Sequence, residues 1–343
     1  MPEQRTAQNR IDVVILWVDG SDPAWQAEKA RVCATPLADD RNLRYRDWGL
    51  LPYLFRGLEQ FAPWVGTVHF VTWGHLPPWL NLDCPNLHIV KHTDFIPAQY
   101  LPTFSSHTIE LNIHRIEGLA DQFIYFNDDM FLLRPVSADA FFRNGLPRDY
   151  AIMNPAHTLD LTEGNGDERI FYMPYNDANH LNVRYSMRNC IKQHPLKWFH
   201  PSYGANLLRN LLLLPWNRFV GFVDRHLPQP YIRSSYTEAW ADDFDVLDAT
   251  CRNQIRTDHD VNHWYIRYRQ LAAGNFIPMR PLKDGVFPLK PGNAALYDCL
   301  ENQRLPMVCL NDSPLVGDRF PEEQARIQRA FDRILPEKSG YER

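Results

Sequence analysis

Residues 11–18, IDVVILWV, form an almost continuous apolar run rich in β-branched side chains, and the polar sequence DGSDP follows at residues 19–23. Such a run is typical of a strand that is covered on both faces of a sheet. The Asp, Gly and Pro residues after it indicate a loop. We therefore expect a buried first strand that leads into a polar loop.

Short apolar segments and helical patterns alternate after this strand. TVHFVTW at residues 67–73 and LHIVK at residues 87–91 are typical of strands, and a helical pattern precedes them at residues 48–61. A further strand at residues 123–126 ends at the sequence NDD, residues 127–129. Alternation of this kind predicts an α/β fold with a mostly parallel, Rossmann-like sheet, flanking helices and a helical insertion.

One helix is marked by its cap and its spacing. Ser105-Ser106 offers an N-cap, isoleucines at positions 109, 113 and 116 recur at helical spacing, and Gly118 supplies a stop. The residue directly after each of these isoleucines is polar, and together these residues form a second stripe along the helix. We expect the isoleucines to enter the core and this polar stripe to lie along the core edge; its members are Glu110, His114 and Glu117.

The chain is predicted to have three parts. Residues 1–150 would form an α/β core, residues 151–235 an irregular or helical insertion, and residues 236–343 a C-terminal part that completes the core. In the last part, helices are expected at residues 237–251, 262–273 and 321–335.

The composition excludes several classes of protein. The 343 residues are 45% hydrophobic and carry a net charge of -5, which argues against a disordered chain and against a basic nucleic-acid-binding surface. The six cysteines form no C-x-x-C pair, so free, buried thiols are expected rather than a zinc ribbon. Neither a signal peptide nor a membrane span is visible, and we expect a cytoplasmic protein, with peripheral attachment to the inner face of the membrane left open.

Acids gather where strands end. In a parallel α/β sheet the ligand site lies outside the carboxyl ends of the strands, and those positions here hold Asp19, Asp22, Thr72, Asp94, Asp128 and Asp129. Such carboxylates can hold a divalent cation against a diphosphate. The alternative for Asp128-Asp129 is a turn-forming pair of acids.

Other catalytic motifs give no support. The sequence has no P-loop, dinucleotide-binding, zincin or G-x-S-x-G motif. His226 stands out because it lies in the proline-rich segment RHLPQP, residues 225–230, where little side-chain entropy is left to lose. Arg256 begins RTDHD, residues 256–260. For both residues a purely structural role stays open.

Taken together, these segments resemble the Stealth family of hexose-1-phosphate transferases, which includes bacterial capsular polysaccharide phosphotransferases and the catalytic core of the lysosomal-enzyme N-acetylglucosamine-1-phosphotransferase. The resemblance rests on four ordered blocks that span most of the chain: IDVVILWVDGSD at residues 11–22; residues 43–129, with LPTFSS, IHRIEGL and FIYFNDDMF; residues 226–256; and MVCLND at residues 307–312.

The resemblance implies a glycosyltransferase-A-like sheet, with residues 1–150 as the nucleotide-sugar-binding core and residues 236–343 completing the catalytic core. It also implies the transfer of hexose-1-phosphate from a UDP-hexose or UDP-N-acetylhexosamine to a hydroxyl of a glycan acceptor. The product is a phosphodiester, UMP is released, and the pathway is surface or capsular polysaccharide synthesis. Mg²⁺ or Mn²⁺ is the expected cofactor. The implied partners are this donor and acceptor, no nucleic acid, and a membrane polysaccharide assembly complex to which the protein could attach peripherally.

The resemblance also implies residue roles. Glu110, Asp129, His226 and Arg256 would be catalytic, with His226 or Glu110 as the proton acceptor. Substrate binding would fall to residues in the first two blocks: Asp12, Trp17, Asp19, Gly20, Arg44, Thr72 and Arg115. The metal would be held by Asp128, Asp129 and Asn311. Because Asp12 lies at the amino end of the predicted first strand, a buried structural role stays open for it.

Two competing functions remain at this point. A metal-dependent glycosyltransferase would use the same strand-end acids but would release UDP. A glycan-binding assembly protein could use the aromatic residues, 13% of the chain, to stack on sugars. A binding module would not need paired acids together with dispersed His and Arg residues.

Overall fold

The structure is a computed structural model that describes residues 10–32, 45–156 and 169–343, and the side chains of residues 169–171 lie outside this description. The described strands are β1 Ile11–Leu16, β2 Val68–Thr72, β3 Leu87–Lys91, β4 Gln122–Asn127, β5 Met130–Leu132, β6 Phe142–Arg143, β7 Leu146–Asp149, β8 Gln229–Ile232, β9 Ile277–Pro278, β10 Val286–Pro288 and β11 Met307–Asn311.

The α-helices of the described residues flank these strands. They are α1 Pro23–Val32, α2 Leu51–Phe61, α3 His92–Phe95, α4 Ser106–Asn112, α5 Arg169–Arg184, α6 Met187–Gln193, α7 Pro195–Trp198, α8 Asn206–Leu213, α9 Arg233–Asp242, α10 Phe244–Cys251, α11 His263–Ala272, α12 Ala294–Glu301 and α13 Phe320–Ile334. None of them is long and apolar enough to cross a membrane.

The central sheet has the strand order β3-β2-β1-β4-β8. Strand β1 runs parallel to both β2 and β4, and β2 runs parallel to β3. Val13 and Ile15 pack in the core on one face of the sheet, whereas Val14 packs in the core on the other. The apolar run in β1 is therefore explained by burial on both faces, and the prediction of a mostly parallel α/β fold is confirmed.

The fifth strand, β8, runs antiparallel to β4, with Gln229 opposite Tyr125. The start of β8 thus lies at the carboxyl end of β4, and the residues just before β8 reach the edge of the sheet where a ligand would bind. Strand β8 falls within the predicted insertion, residues 151–235, although it belongs to the central sheet. The division into three parts stays a prediction.

A second sheet, β10-β11-β5, brings the C-terminal part of the chain to the same place. Strand β11 is antiparallel to β5, with Cys309 opposite Met130. The backbone N–H of Leu310 donates to the carbonyl of Asp129 at 2.8 Å. The turn after β4 is therefore held both by the central sheet, through β4, and by the second sheet, through β11.

The helix around Glu110 requires a correction. Helix α4 is shorter than predicted and continues as a 3-10 turn, and Ile113 and Ile116 are fully buried as expected. Glu110 and His114, expected at the core edge, are buried, and only Glu117 is exposed. The reason is that α9 and α11 cover this side of α4, an arrangement that helical spacing alone does not reveal.

The C-terminal helices largely match the predictions. Helix α11 begins after Asn262, whose side chain caps it, and α13 buries Ile327 and Phe331. The predicted helix at residues 237–251 is in fact two helices, α9 and α10, that are separated at Asp243. The carboxylate of Asp243 accepts a hydrogen bond from Tyr265 at 2.8 Å, which fixes the break.

Candidate active site

The carboxyl edge of the central sheet collects the polar residues that follow β1, β2 and β4. Leu16 of β1 lies opposite Asn127 of β4 and Val71 of β2, so the residues after these positions emerge side by side. Asp128 and Asp129 follow β4 directly. The topology therefore gathers the predicted residues at one edge.

Asp129 and His226 meet there. Nε2 of His226 lies 3.6 Å from Oδ2 of Asp129 and 3.2 Å from Nδ2 of Asn127. In its neutral form the ring nitrogen can accept from the amide of Asn127, and when protonated it faces the carboxylate. His226 reaches this position because β8 is antiparallel to β4.

Glu110 and Arg256 connect to the same group of residues. The hydroxyl of Tyr125 lies 2.5 Å from Oδ1 of Asn127 and 3.2 Å from Oε1 of Glu110. Ser106 donates to Oε1 of Glu110 at 2.8 Å, and Nη2 of Arg256 donates to Oγ of Ser106 at 2.6 Å.

A continuous polar chain thus joins the four residues predicted to be catalytic. Its members, in order, are Arg256, Ser106, Glu110, Tyr125, Asn127, His226 and Asp129. We call this set the polar chain.

Glu110 is an enclosed carboxylate. Burial alone would raise its pKa, but nearby His263, His107 and Arg256 and the hydroxyl of Ser106 lower it overall. Burial lowers the pKa of His263 to about 4, so this ring is neutral near pH 7. Arg256, which is permanently charged, and Ser106, which donates a hydrogen bond to the carboxylate, both favour the anionic form of Glu110.

The pKa values of His226 and Asp128 are raised. Burial would lower the pKa of His226, but the carboxylates of Asp129 and Glu110 raise it overall. Partial desolvation and the charge of Asp129 raise the pKa of Asp128 to about 7. Two adjacent acids repel each other unless a proton or a cation is shared between them.

Asp129 has the features of a metal ligand. Its Oδ1 is buried and makes no hydrogen bond among the described residues. Ligand atoms of Asp129, His226 and Cys309 lie within 4.8 Å of one another. The thiol of Cys309 stays protonated, because burial and Asp129 raise its pKa well above the usual range, and it donates to Oδ2 of Asp129 at 3.2 Å. The unpartnered Oδ1 therefore fits an oxygen-preferring cation better than a thiolate site.

Of the remaining predicted metal ligands, Asp128 is exposed beside Asp129, and Asn311 is the exposed last residue of β11. Strand β11 is the neighbour of β5, which begins directly after the acids. Both residues therefore lie on elements that border Asp129.

Four of the predicted substrate-binding residues lie at the ends of β1 and β2. The ring of Trp17 stacks on Phe70, and the N–H of Asp19 donates to Nε2 of His75 at 2.7 Å. Thr72 accepts from the N–H of Gly74 at 2.9 Å.

Gly20, the fourth of these residues, is needed for a close approach of two segments. A Cβ atom at this position would lie 2.1 Å from Cβ of Tyr45. Any larger residue would push the loop after β1 away from Tyr45.

Of the other predicted residues, Asp12 and Arg115 are not brought to this edge. Asp12 is fully buried at the amino end of β1 and accepts from the N–H groups of Thr67 and Ala120 at 2.9 Å. It also accepts a hydrogen bond from Arg10. These contacts give Asp12 the structural role that the sequence leaves open. Arg115 is exposed and stacks over Trp240, 4.9 Å from the ring centre. Arg44 lies outside the described residues.

Sequence analysis missed several members of the site: Ser106, Tyr125, Asn127 and Cys309. Tyr125 and Asn127 are two residues apart on β4, and side chains at that spacing point to the same face of a sheet. This spacing is a signal that could have linked them to each other. The contact of Cys309 with Asp129 spans 180 positions of sequence and had no local signal, although the expectation of buried, free thiols holds for Cys309.

A buried ion-pair network holds the segment that carries His226. Arg267 is fully buried and donates to both oxygens of Asp149 at 2.8 Å and to Oδ1 of Asp224 at 2.6 Å. Asp224 precedes His226 by two residues. The network therefore restrains the approach of His226 to the edge of the sheet.

Two family models match the chain. The description "Stealth protein CR1, conserved region 1" covers residues 9–32, and "Stealth protein CR2, conserved region 2" covers residues 44–149. Between them, these regions contain β1, β2 and β4, which end at the edge described above.

Curated bacterial proteins are similar over nearly the whole chain. A capsular polysaccharide phosphotransferase WcwK of Streptococcus pneumoniae is 34% identical over 97% of this chain and 98% of its own length. A receptor polysaccharide phosphotransferase WefC of Streptococcus oralis is 35% identical over 97% and 99%. An exopolysaccharide phosphotransferase cps2G of Lactiplantibacillus plantarum is 33% identical over 97% and 96%.

Proposed function

Because this chain belongs to the Stealth family of phosphotransferases, we propose that it transfers a sugar-1-phosphate to a glycan hydroxyl during polysaccharide synthesis. The donor would be a UDP-hexose or UDP-N-acetylhexosamine. The observation that carries the proposal is the polar chain, which places an arginine, two carboxylates and a histidine in continuous contact at the ligand-binding edge.

In the proposed step, the oxygen of the acceptor hydroxyl attacks the phosphorus that bears the sugar. The bond from this phosphorus to the bridging oxygen breaks, and that oxygen leaves with UMP. The hydroxyl proton passes to a base on the enzyme. The products are a phosphodiester and the nucleoside monophosphate, so atoms and charge balance.

We assign the base to His226. Its side chain is 33% exposed, whereas Glu110 is 5% exposed and is held by Ser106 and Tyr125. A base must come within hydrogen-bond distance of the proton that it accepts, directly or through one water molecule. Glu110 then serves to orient Tyr125 and, through Ser106, Arg256.

Arg256 would neutralise the donor diphosphate. Its guanidinium is fixed by Ser106 at 2.6 Å, and a guanidinium presents two parallel donors to phosphate oxygens. Trp17, Asp19, Gly20 and Thr72 form the neighbouring strand ends and would contact the rest of the donor.

A Mg²⁺ or Mn²⁺ ion would be held by Asp129 together with Asp128 and Asn311. The unpartnered Oδ1 of Asp129 supports this assignment. A bound ion would supply charge neutralisation at the phosphate oxygens.

A glycosyltransferase that releases UDP is the main alternative and would use the same carboxylates. The two functions differ in the bond that breaks, and the nucleotide product distinguishes them. We expect UMP when the protein is incubated with a UDP-sugar and a polysaccharide-derived acceptor; release of UDP would support the glycosyltransferase, and no nucleotide release would support the glycan-binding protein.

A further inference from the structure

Helix α8 exposes several leucines to solvent, although it buries Leu213 in the core. Its buried side includes Asn210, whose amide accepts from the N–H of Met153 and donates to the carbonyls of Ala151 and Trp198, each at 2.8 Å. These bonds fix the rotation of the helix about its axis.

The outward face of α8 is made of leucines. Leu208, Leu211 and Leu212 are 60%, 52% and 63% exposed, and their spacing of three and four residues places them on one face. Trp216, just after the helix, is 63% exposed. We call these four residues the leucine face.

The stretch of sequence that contains α8 is basic, whereas the whole chain is acidic. Residues 178–223 contain no Asp or Glu, whereas the complete chain has a net charge of -5. The same residues contain six basic side chains: Arg184, Arg188, Lys192, Lys197, Arg209 and Arg218. Arg209 and Arg218 are exposed beside the leucine face.

Exposed leucines and a tryptophan flanked by basic residues are the features of a helix that lies in the interface of an anionic bilayer. We propose that the leucine face inserts into the surface of a membrane that contains anionic lipids, with Arg209 and Arg218 contacting the headgroups. A second copy of the chain is a poorer occupant, because two such basic surfaces would repel each other. This inference goes beyond the proposed function and does not depend on it.

The test is co-sedimentation of the full chain with lipid vesicles. We expect binding to phosphatidylcholine vesicles that contain about a third phosphatidylglycerol and little binding to phosphatidylcholine alone. Binding should fall as salt rises to about 0.5 M, because salt screens the basic residues.

Two double variants separate the apolar and charged contributions. Leu211→Gln with Leu212→Gln should weaken vesicle binding by at least about tenfold, since the inserted side chains are lost. Arg209→Gln with Arg218→Gln should weaken binding to anionic vesicles and reduce its salt dependence. Leu82→Gln with Phe244→Gln removes two exposed apolar residues elsewhere and should bind like the parent protein. Circular dichroism and nucleotide release with a soluble acceptor should be unchanged in the leucine and arginine double variants, which we call the α8 variants.

Three results would overturn the inference. The first is no sedimentation with either vesicle. The second is binding that is equal for neutral and anionic vesicles or unaffected by the α8 variants. The third is a dimer that forms without lipid and is lost in the leucine variant, which would make the leucine face a contact between copies.

Discussion

The thiol of Cys309 lies 3.2 Å from Oδ2 of Asp129 and donates a hydrogen bond to it, so a residue of the C-terminal part positions the acid that follows β4. A serine can replace this donor and alanine cannot. We expect Cys309→Ser to retain most activity and Cys309→Ala to lose about tenfold in kcat, as a hydrogen bond to a charged group contributes about 1.5–3 kcal/mol. Steady-state kinetics checks this, and equal losses in both variants would show that the thiol has another role.

Asp129→Asn should abolish turnover without unfolding the protein. The change removes one anionic ligand and almost no volume, so the loss should persist at saturating Mg²⁺. Nucleotide release and thermal unfolding are the measurements. Asp83→Asn, an exposed acid far from β4 in sequence, is the control. Near-normal activity at high Mg²⁺ would remove Asp129 from the site.

Arg256→Lys should lower kcat/KM more than about tenfold, because a single ammonium cannot replace a two-pronged contact with phosphate. Arg252→Lys, on an exposed arginine that pairs with Asp248, should have little effect. If Arg256→Lys behaves like Arg252→Lys, the contact of Arg256 with Ser106 serves only the fold.

His226→Ala should lower kcat about 10²- to 10⁴-fold, the usual range for loss of a general base, with donor affinity nearly unchanged. His226→Gln distinguishes a base from a hydrogen-bond donor, because an amide can donate but is no comparable base. Kinetics and calorimetric donor binding measure both effects. Recovery of most activity by glutamine would make Glu110 the next candidate for the base.

His114 should make the free energy of unfolding depend on pH. Burial lowers the pKa of this histidine to about 3, so between about pH 6.5 and pH 3 the unfolded chain binds a proton there that the folded chain does not. Stability due to this ring is present above pH 6.5 and is lost as the pH falls. Relative to the parent protein, His114→Phe should gain about 1.4 kcal/mol per pH unit across this window.

Urea unfolding at several pH values measures this difference. Leu82→Gln, at an exposed residue without a titratable group, should give a curve parallel to that of the parent protein. If the curve of His114→Phe is also parallel, the ring of His114 is solvated in the folded state.

The central sheet could be predicted because its signals are local. The apolar run at residues 11–18 corresponds to β1, which is covered on both faces. The NDD sequence corresponds to the last residue of β4 and the turn that follows it. Glu110 was placed on the correct helix, but its burial depends on α9 and α11, which lie more than 100 positions away.

Contacts across the chain could not be predicted in the same way. His226 reaches Asn127 because β8 is antiparallel to β4, and no local pattern specifies the direction of an edge strand. The placement of Cys309 similarly requires β11 to pair with β5. The resemblance to a family predicts that His226, Glu110 and Arg256 are functional, whereas the structure supplies the contacts that connect them.

The central claim is that the sugar is transferred together with the phosphate attached to it. Following that phosphate into the products tests the claim most directly. With a UDP-sugar that carries a radioactive label on the phosphorus attached to the sugar, we expect the label to appear in the glycan as a phosphodiester, with unlabelled UMP released. His226→Ala should suppress both signals together. Label that remains in released UDP, with sugar alone in the glycan, would contradict the account and identify a glycosyltransferase.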